Sequence, residues 1–163
     1  MVTKFSKQKV TKPNNVLDYY KKYTRMLTKI YGDRALNNIE VNKLAKKILG
    51  KIFISVYAID TVPKVLPKKC MLIFNTDKAN KPGEHWIALY KSGNIHYIYD
   101  SFGRRSKNIA SFLHKQILTD KKSKIIDFEH DPEQADYQNN CSLRCITALH
   151  CVMKFGIRKA ITI

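Results

Sequence analysis

The sequence contains no long apolar run, and this absence limits what the chain can be. No apolar stretch reaches the about 18 residues that a membrane-spanning helix needs. The first residues also do not form a charged segment followed by an apolar one, as a secretory leader does. We therefore expect no membrane span, no secretory leader and no membrane partner.

The four cysteines do not form the pattern of a disulfide framework. Three of them, Cys141, Cys145 and Cys151, fall within one predicted helix, and Cys70 lies far upstream. This distribution is typical of a protein from a reducing compartment, where thiols stay free.

Acidic residues are few compared with basic ones. Thirteen Asp and Glu stand against thirty Lys and Arg, which gives a formal net charge of +17. A field of this sign attracts polyanions and predicts DNA as a partner, although a solvated basic surface that only aids solubility would have the same composition. No aromatic-rich reading motif accompanies the charge, so we expect DNA binding to be independent of sequence.

The hydrophobic content, 44% of 163 residues, is enough for one core. Apolar spacing predicts helices at Val16–Tyr31, from an Asn38 cap to Gly50, at Asn108–Leu118 and from Leu143 to Phe155. Short β-like runs separated by Pro, Lys and Gly segments predict strands at Ile52–Tyr57, Cys70–Asn75, Trp86–Lys91, Ile95–Tyr99 and Lys124–Phe128.

The order of these segments predicts an α+β fold. We expect a central mixed, mostly antiparallel sheet, packed against a buried helix that carries Cys141 at its N-terminus. We also expect a basic N-terminal arm and helix at residues 1–35, followed by the main domain at residues 36–163.

A candidate nucleophile lies where a polar loop meets an apolar helix. Residues 134–140 are polar or turn-forming, Cys141 follows, and the apolar run from Leu143 comes next. This places the thiol at a helix N-terminus, where free N–H groups and the helix dipole favour the thiolate. The side-chain amide of Gln134, seven residues upstream, can then stabilise an oxyanion formed at the sulfur.

A general base has to be chosen among five histidines. His150 is on the same predicted helix as Cys141, about 13 Å along it and on the opposite face, so it cannot be the partner. His85 comes just before the strand that begins at Trp86, and Asp100 ends the next strand. If these strands form a hairpin, His85 and Asp100 meet at one sheet edge, within reach of an imidazole–carboxylate hydrogen bond. On spacing alone, a solvated loop histidine is the simpler interpretation of His85.

Together these segments resemble the adenovirus-type maturation cysteine protease, whose superfamily also contains the SUMO and ubiquitin-like-protein proteases. The resemblance runs from about residue 36 to residue 155, and is closest in form to the proteases of virophages and related large DNA transposons. It rests on the order and spacing of four pieces: Gly83-Glu84-His85-Trp86, Tyr99-Asp100-Ser101-Phe102-Gly103, Gln134, and Cys141-Ser142-Leu143-Arg144-Cys145.

By this resemblance, Cys141 is the nucleophile, His85 the general base, Asp100 the acid that orients it, and Gln134 the oxyanion donor. The implied function is a viral endopeptidase that cleaves capsid and other structural precursors during particle maturation, after small residues such as a Gly-Gly pair. The chemistry needs no metal or organic cofactor, and DNA would be an activating polyanion. The implied location is the virion, together with the host nucleus or a cytoplasmic virus factory.

Two departures from the family pattern bear on activity. Ser142 follows the nucleophile where the family has glycine, and we expect its side chain to narrow the approach to the oxyanion hole. No cysteine lies between Asp100 and Gln134. We therefore expect no activating peptide tethered there by a disulfide, whereas a non-covalent activating peptide stays open.

Three other interpretations are compatible with parts of this pattern. A protease that removes SUMO-like or ubiquitin-like tails would use the same residues, because its substrates also carry glycine near the cut. A non-catalytic, basic DNA-packaging protein would need only the positive charge and would leave the four candidate site residues without a function. A zinc site is the weakest, because only Cys141 and Cys145 have a spacing that lets two ligands share a metal.

Overall fold

The computed structural model describes residues 15–163, which form an α+β fold as predicted. The predicted basic arm before Asn15 lies outside the described residues. In chain order the elements are α1 (Val16–Tyr31), α2 (Asn38–Leu49), β1 (Phe53–Ala58), β2 (Lys69–Asn75), β3 (Trp86–Ser92), β4 (Ile95–Tyr99), α3 (Ser106–Ile109), α4 (Ser111–Leu118), β5 (Lys124–Asp127), α5 (Cys141–Phe155) and α6 (Ile157–Ala160).

The five strands form one sheet in which spatial order follows chain order, from β1 to β5. β3 pairs antiparallel with both β2 and β4, whereas β1 with β2 and β4 with β5 are parallel pairs. The sheet is therefore mixed, as predicted, and its two antiparallel strand pairs are longer than its two parallel pairs. Each parallel pair needs a connection long enough to return the chain to the end of the sheet where the first strand of the pair began. The connection between β1 and β2 and the one between β4 and β5 are both this long, and the latter contains α3 and α4.

β3 and β4 form the hairpin that positions the candidate site. They are joined at Gly93 and Asn94, and Gly93 has a φ of +60°, which glycine adopts without steric cost. The register pairs Ala88 with Tyr99. His85, just before β3, and Asp100, just after β4, therefore lie at the same edge of the sheet.

Helix α5 is buried along most of its length, because its apolar residues lie on several faces. It contacts α1, α2, β2 and β3. The thiol of Cys145 donates a hydrogen bond to the carbonyl oxygen of Trp86 at 3.2 Å, which fixes the first turn of α5 against the start of β3. A second apolar cluster contains residues of β2, β3 and β4 together with Leu113 and Ile117 of α4.

The remaining helices agree with the predictions in place but not in every boundary. Helix α1 has the predicted limits. The N-cap of α2 is Asn37 rather than Asn38, because Asn37 and Glu40 form a capping box. The single helix predicted over residues 108–118 is two short helices, since Ala110 leaves the helical conformation with φ −133° and ψ 41°.

Helix α1 shares the hydrophobic core with α5. Tyr20 and Leu27 of α1 belong to the cluster that contains most of the buried residues of α5. The hydroxyl of Tyr20 also forms a buried hydrogen bond with that of Tyr99 in β4 at 2.5 Å.

The division of the chain into a basic N-terminal arm and helix up to residue 35 and a main domain from residue 36 stays a prediction. No helix within residues 15–163 combines the length and the apolar character needed to cross a membrane.

Candidate active site

His85 and Asp100 are in contact at the open end of the β3–β4 hairpin. The Nε2 atom of His85 lies 2.6 Å from Oδ1 of Asp100, and both side chains are buried. The backbone before His85 is held by Asn75, whose Oδ1 accepts hydrogen bonds from the N–H groups of Asp77 and Glu84. Asp100 therefore holds the imidazole, and Asn75 holds the backbone that precedes it.

Arg104 is a second partner of the Asp100 carboxylate that the sequence did not reveal. Its Nε donates to Oδ2 of Asp100 at 2.8 Å, and its backbone N–H donates to the same oxygen at 3.1 Å. Burial raises the pKa of Asp100, but the hydrogen bonds and charges of His85 and Arg104 outweigh it and lower the pKa to about 2. Asp100 is therefore ionised at neutral pH. A buried carboxylate needs several hydrogen-bond donors. If Asp100 is expected to be buried, this need is the one reason to look in the sequence for a nearby cation such as Arg104.

Phe102 covers the imidazole. Its ring lies 5.0 Å from the His85 ring between centroids, tilted by 35°. The Arg104 guanidinium carbon lies 5.0 Å from the Phe102 centroid. Phe102 thus lies in contact with both the histidine and the arginine that bind Asp100, which further restricts the orientation of the imidazole.

Cys141 is the first residue of α5, and its side chain is buried. Burial raises the pKa of its thiol, but a hydrogen bond with His85, the charge of His85 and backbone hydrogen bonds at Trp86 and Ser142 outweigh burial and lower the pKa. Burial lowers the pKa of His85, but its hydrogen bonds with Asp100 and Cys141 outweigh that effect and raise it. Because Nε2 of His85 is bound to Asp100, Nδ1 is the ring nitrogen left for the thiol. Both shifts favour a thiolate–imidazolium pair.

The other three cysteines differ from Cys141 in their electrostatics. Burial raises the pKa of Cys70, raises that of Cys151 to about 12, and raises that of Cys145 well above its ordinary value. All four are free thiols. Cys141 is therefore the one cysteine whose surroundings favour the reactive ionised form.

Gln134 is held in the loop between β5 and α5 by groups on either side of it. Its Oε1 accepts a hydrogen bond from the Ser101 hydroxyl at 2.6 Å, and its Nε2 donates to the carbonyl oxygen of Gln138 at 2.6 Å. Its own backbone N–H donates to the carbonyl oxygen of Ser101 at 2.9 Å. These bonds use one hydrogen of the amide and leave the other for a ligand. Ser101 and Gln138 therefore hold the Gln134 side chain in place, a role that the spacing of residues in the sequence did not indicate.

A groove of about 620 Å³ runs to Cys141. Its lining includes Leu36, Asn75, Gly83 and Trp86, and the indole Nε1 of Trp86 donates to the carbonyl oxygen of Leu36 at 3.2 Å. Gly83 has a φ of +91°, and a Cβ there would come within 3.0 Å of the Asn75 amide. One wall of the groove therefore requires a glycine.

Ser142 and His150 do not line this groove. Ser142 is fully buried and is absent from the groove lining, and its Oγ has no hydrogen-bond partner among residues 15–163. Its side chain therefore does not line the groove at the thiol, and the expected narrowing of the approach to the oxyanion hole stays a prediction. His150 forms a hydrogen bond through Nδ1 with the Tyr19 hydroxyl at 3.1 Å.

A metal centre is not visible in the described part of the chain. Within residues 15–163, no group of three or more His, Cys, Asp or Glu side chains is placed so that it could hold a metal ion.

No model of a known protein family matches this chain, and no curated protein matches it. The family resemblance therefore rests on the sequence motifs alone. In the structure, His85 and Asp100 are in direct contact, and Cys141, from a third segment, lies near enough to His85 for each to shift the pKa of the other. The catalytic roles of these residues stay predictions.

Proposed function

We propose that the protein is a cysteine endopeptidase, with Cys141 as nucleophile, His85 as general base and acid, Asp100 as the orienting carboxylate and Gln134 as the oxyanion donor. One observation carries this proposal: His85 is in contact with the buried Asp100 and lies near enough to Cys141, at the N-terminus of α5, to lower the pKa of its thiol. An imidazole held by a carboxylate beside a thiol of lowered pKa is the arrangement that nucleophilic thiol catalysis requires.

In the first half of the reaction, the Cys141 thiolate attacks the carbonyl carbon of the scissile peptide bond. A carbon–sulfur bond forms, and the electron pair of the carbonyl moves to its oxygen. The free N–H of the Gln134 amide and the N–H groups at the start of α5 stabilise this oxyanion. The carbon–nitrogen bond then breaks, and the His85 imidazolium gives its proton to the leaving amine, so that a thioester remains.

In the second half, water hydrolyses the thioester. Neutral His85 takes one proton from the water as the oxygen attacks the thioester carbon, and a second oxyanion forms at the same position. The carbon–sulfur bond breaks, which releases a carboxylic acid product and returns the thiolate beside the imidazolium. Asp100 stays ionised throughout and holds the ring through Nε2.

The groove beside Cys141 supports a preference for small residues before the cut. Trp86 is bonded to Leu36 across it, and Gly83 lies against Asn75, so that both walls are fixed. An extended Gly-Gly segment has no side chains that would meet these walls. A substrate that presents Gly-Gly in an extended segment, such as a capsid or other structural precursor, fits this requirement.

We further propose a role in viral particle maturation, in the virion and in the host nucleus or a cytoplasmic virus factory, with DNA as a sequence-independent partner and activator. The support is the net charge of +17 and the motif resemblance. A non-covalent activating peptide is compatible with this role. The chemistry itself requires no cofactor.

The decisive experiment is cleavage of a Gly-Gly-containing precursor peptide by the native protein and by Cys141→Ala. Cys151→Ala is the matched control, because it removes a buried thiol of raised pKa from the same helix. We expect Cys141→Ala to abolish cleavage and Cys151→Ala to retain it. Equal activity of all three proteins would exclude Cys141 as the nucleophile. Inactivity of the native protein, with and without DNA, would favour the DNA-packaging interpretation.

Substrate class and DNA dependence are tested in the same assay. Faster cleavage of a folded ubiquitin-like protein with a Gly-Gly tail than of the precursor peptide would favour deconjugation over maturation. We expect DNA to increase the rate, and the effect to weaken steeply as salt is raised, because counterion release drives electrostatic binding. A salt-independent effect would contradict the polyanion proposal.

A further inference from the structure

A cavity of about 540 Å³ lies between α1 and the loop before α5, and Cys141 is not among its lining residues. The residues that α1 contributes recur three or four positions apart along one helix face: Leu17, Tyr20, Lys21, Thr24, Arg25 and Thr28. The opposite wall comes from the loop at residues 131–140 and from Arg144 of α5. The proposed peptidase chemistry does not use this cavity.

The floor of the cavity contains a buried arginine without a carboxylate partner in hydrogen-bond contact. Arg144 is 8% exposed. Its Nε donates to Oδ1 of Asn140 at 2.8 Å, its Nη1 to the Tyr20 hydroxyl at 3.3 Å, and its Nη2 to Oε1 of Gln138 at 3.1 Å. These acceptors are neutral, and they use three of the five N–H groups of the guanidinium. The carboxylate of Glu133 interacts with this cation only indirectly, through a relay of two tyrosine hydroxyls. Because the direct hydrogen-bond partners of the guanidinium are neutral, its free N–H groups favour an anion beside them.

A second buried polar group lines the same cavity. Thr24 is 4% exposed, and its Oγ1 has no hydrogen-bond partner among residues 15–163. Lys21 and Arg25, one turn apart on α1, are exposed cations at the edge. Two carboxylates line the opposite wall: Asp131, which is exposed, and Glu133, whose pKa burial raises to about 7, so that near neutral pH it carries only part of its charge. Together with the guanidinium at the floor, the cations outnumber these carboxylates, and the cavity therefore favours a negatively charged ligand.

We propose that this cavity binds a small oxyanion, a carboxylate or phosphate group, held by the free N–H groups of Arg144 and by the Thr24 hydroxyl. The planar guanidinium presents paired donors that match two oxygens of such a group. Lys21 and Arg25 add long-range attraction and guide the anion inward. The ligand is either a free anion or the acidic side chain of a bound peptide, since both present the same oxygens.

Binding at this position is coupled to the oxyanion donor through Gln138. The side-chain oxygen of Gln138 accepts from Arg144 and from the backbone N–H of Ala135, while its backbone carbonyl accepts from the Gln134 amide. An anion that draws the guanidinium toward itself therefore changes the support of Gln134. This regulatory part rests on the proposed peptidase function, whereas binding itself does not.

Binding is tested by calorimetry with inorganic phosphate and with acetyl-Asp-Glu, at about 0.15 M salt, where surface charges more than about 8 Å apart are screened. We expect Thr24→Val to weaken binding by about tenfold and Arg25→Gln to weaken it by less, because salt screens its long-range attraction. Lys47→Gln, on α2 outside the cavity, should leave binding unchanged. Thr24→Val keeps the shape of the side chain, so it tests the site without the folding risk of changing Arg144. No binding to the native protein, or equal weakening by all three changes, would overturn the proposal.

The two sources and the coupling have separate readouts. Tighter binding of acetyl-Asp-Glu than of phosphate identifies an acidic peptide as the ligand class, and the reverse order identifies a free phosphate. Cys141→Ala should bind the preferred probe as the native protein does. A saturating probe should change the cleavage rate of the native protein but not of Thr24→Val. Binding without any change in rate would overturn the coupling to Gln134.

Discussion

The Arg104 guanidinium donates to both oxygens of the Asp100 carboxylate, from Nε to Oδ2 at 2.8 Å and from Nη2 to Oδ1 at 3.4 Å, and Oδ1 also lies 2.6 Å from Nε2 of His85. Arg104 and His85 therefore share this carboxylate. In this arrangement Arg104 acts as a positioning residue, because it orients Asp100 and does not approach the thiol.

Arg104→Gln should lower the stability of the protein at neutral pH and make that stability less dependent on acid. A carboxylate of lowered pKa contributes stability above its ordinary pKa of 3.8, and that contribution is lost as pH falls toward about 2. Without Arg104 the pKa of Asp100 lies closer to 3.8, so the variant has less of this stability at neutral pH and loses less of it in acid. Urea unfolding at a series of pH values in an acid titration measures this difference.

The same change should lower kcat/KM by about tenfold, because a less constrained carboxylate orients the imidazole less well. Arg105→Gln is the control, since Arg105 is exposed and makes no side-chain contact with Asp100 in the described structure. Identical acid titrations of both variants would contradict the role assigned to Arg104.

Cys141 should react with iodoacetamide at mildly acidic pH, where an ordinary thiol does not. The pKa of its thiol is lowered and that of His85 is raised, so the thiolate forms at lower pH than in an ordinary cysteine and the imidazolium persists to higher pH than in an ordinary histidine. Because the pKa values of the other three cysteines are raised, each protein molecule should incorporate one equivalent of the iodoacetamide label, at Cys141. Mass spectrometry after timed alkylation gives the rate at each pH.

His85→Ala should move the alkylation profile of Cys141 to higher pH, because the hydrogen bond and the charge that stabilise the thiolate are lost. His114→Ala, on α4, should leave the profile unchanged. If the native profile already matched that of a free thiol, the thiolate–imidazolium pair would not exist.

Glu133→Gln should stabilise the protein at alkaline pH. Burial raises the pKa of Glu133 to about 7, from an ordinary value of 4.5. The associated stability is fully present below about pH 4.5 and is lost as pH rises through about 7, because the buried carboxyl must then ionise. Glutamine retains the acceptor for the Tyr99 hydroxyl and never ionises. Urea unfolding should show Glu133→Gln to be more stable by on the order of 1 kcal/mol at pH 8, allowing for solvent screening. No such gain should appear at pH 4.5.

Gly103→Ala should be far more destabilising than Gly93→Ala. Both glycines have positive φ, +66° and +60°, so alanine is strained at either position. A Cβ at Gly103 would lie only 2.5 Å from the carbonyl oxygen of His130, whereas nothing lies within 4 Å at Gly93. We expect about 1 kcal/mol for Gly93→Ala and about 3 kcal/mol or more for Gly103→Ala, measured by urea unfolding. Equal costs would mean that the loop at His130 moves freely away from the turn.

Local patterns in the sequence were sufficient where short-range physics decides the structure. Apolar spacing gave the limits of α1, and the alternation of β-like runs with turn residues located all five strands to within one residue at either end. The Gly93 turn then placed His85 and Asp100 together, because a hairpin of known strand length leaves little choice. The geometric part of the candidate site thus follows from local rules.

The parts that sequence reasoning missed depend on contacts between distant segments. The parallel pairing of β4 with β5 depends on how the chain between them crosses over, which has no local signature. In the sequence, Arg104 and Ser101 are ordinary polar loop residues. Only the fold shows that they bind the buried side chains of Asp100 and Gln134. Arg144 follows the nucleophile in an apolar helix, and only the packing of α1 over it shows that it is buried.

The chain order of the sheet has a consequence for how the protein reaches its native state. Every strand pairs only with its neighbours in sequence, so the sheet can form early from contacts of low sequence separation. The contacts of α5 with α1 and α2 span most of the chain and should be made last. The thiol would then meet His85 only at the final docking step, so earlier folding intermediates should lack hydrolytic activity. Pulse-labelled hydrogen exchange during refolding should show protection of β2 to β4 before α5, and simultaneous protection would contradict this order.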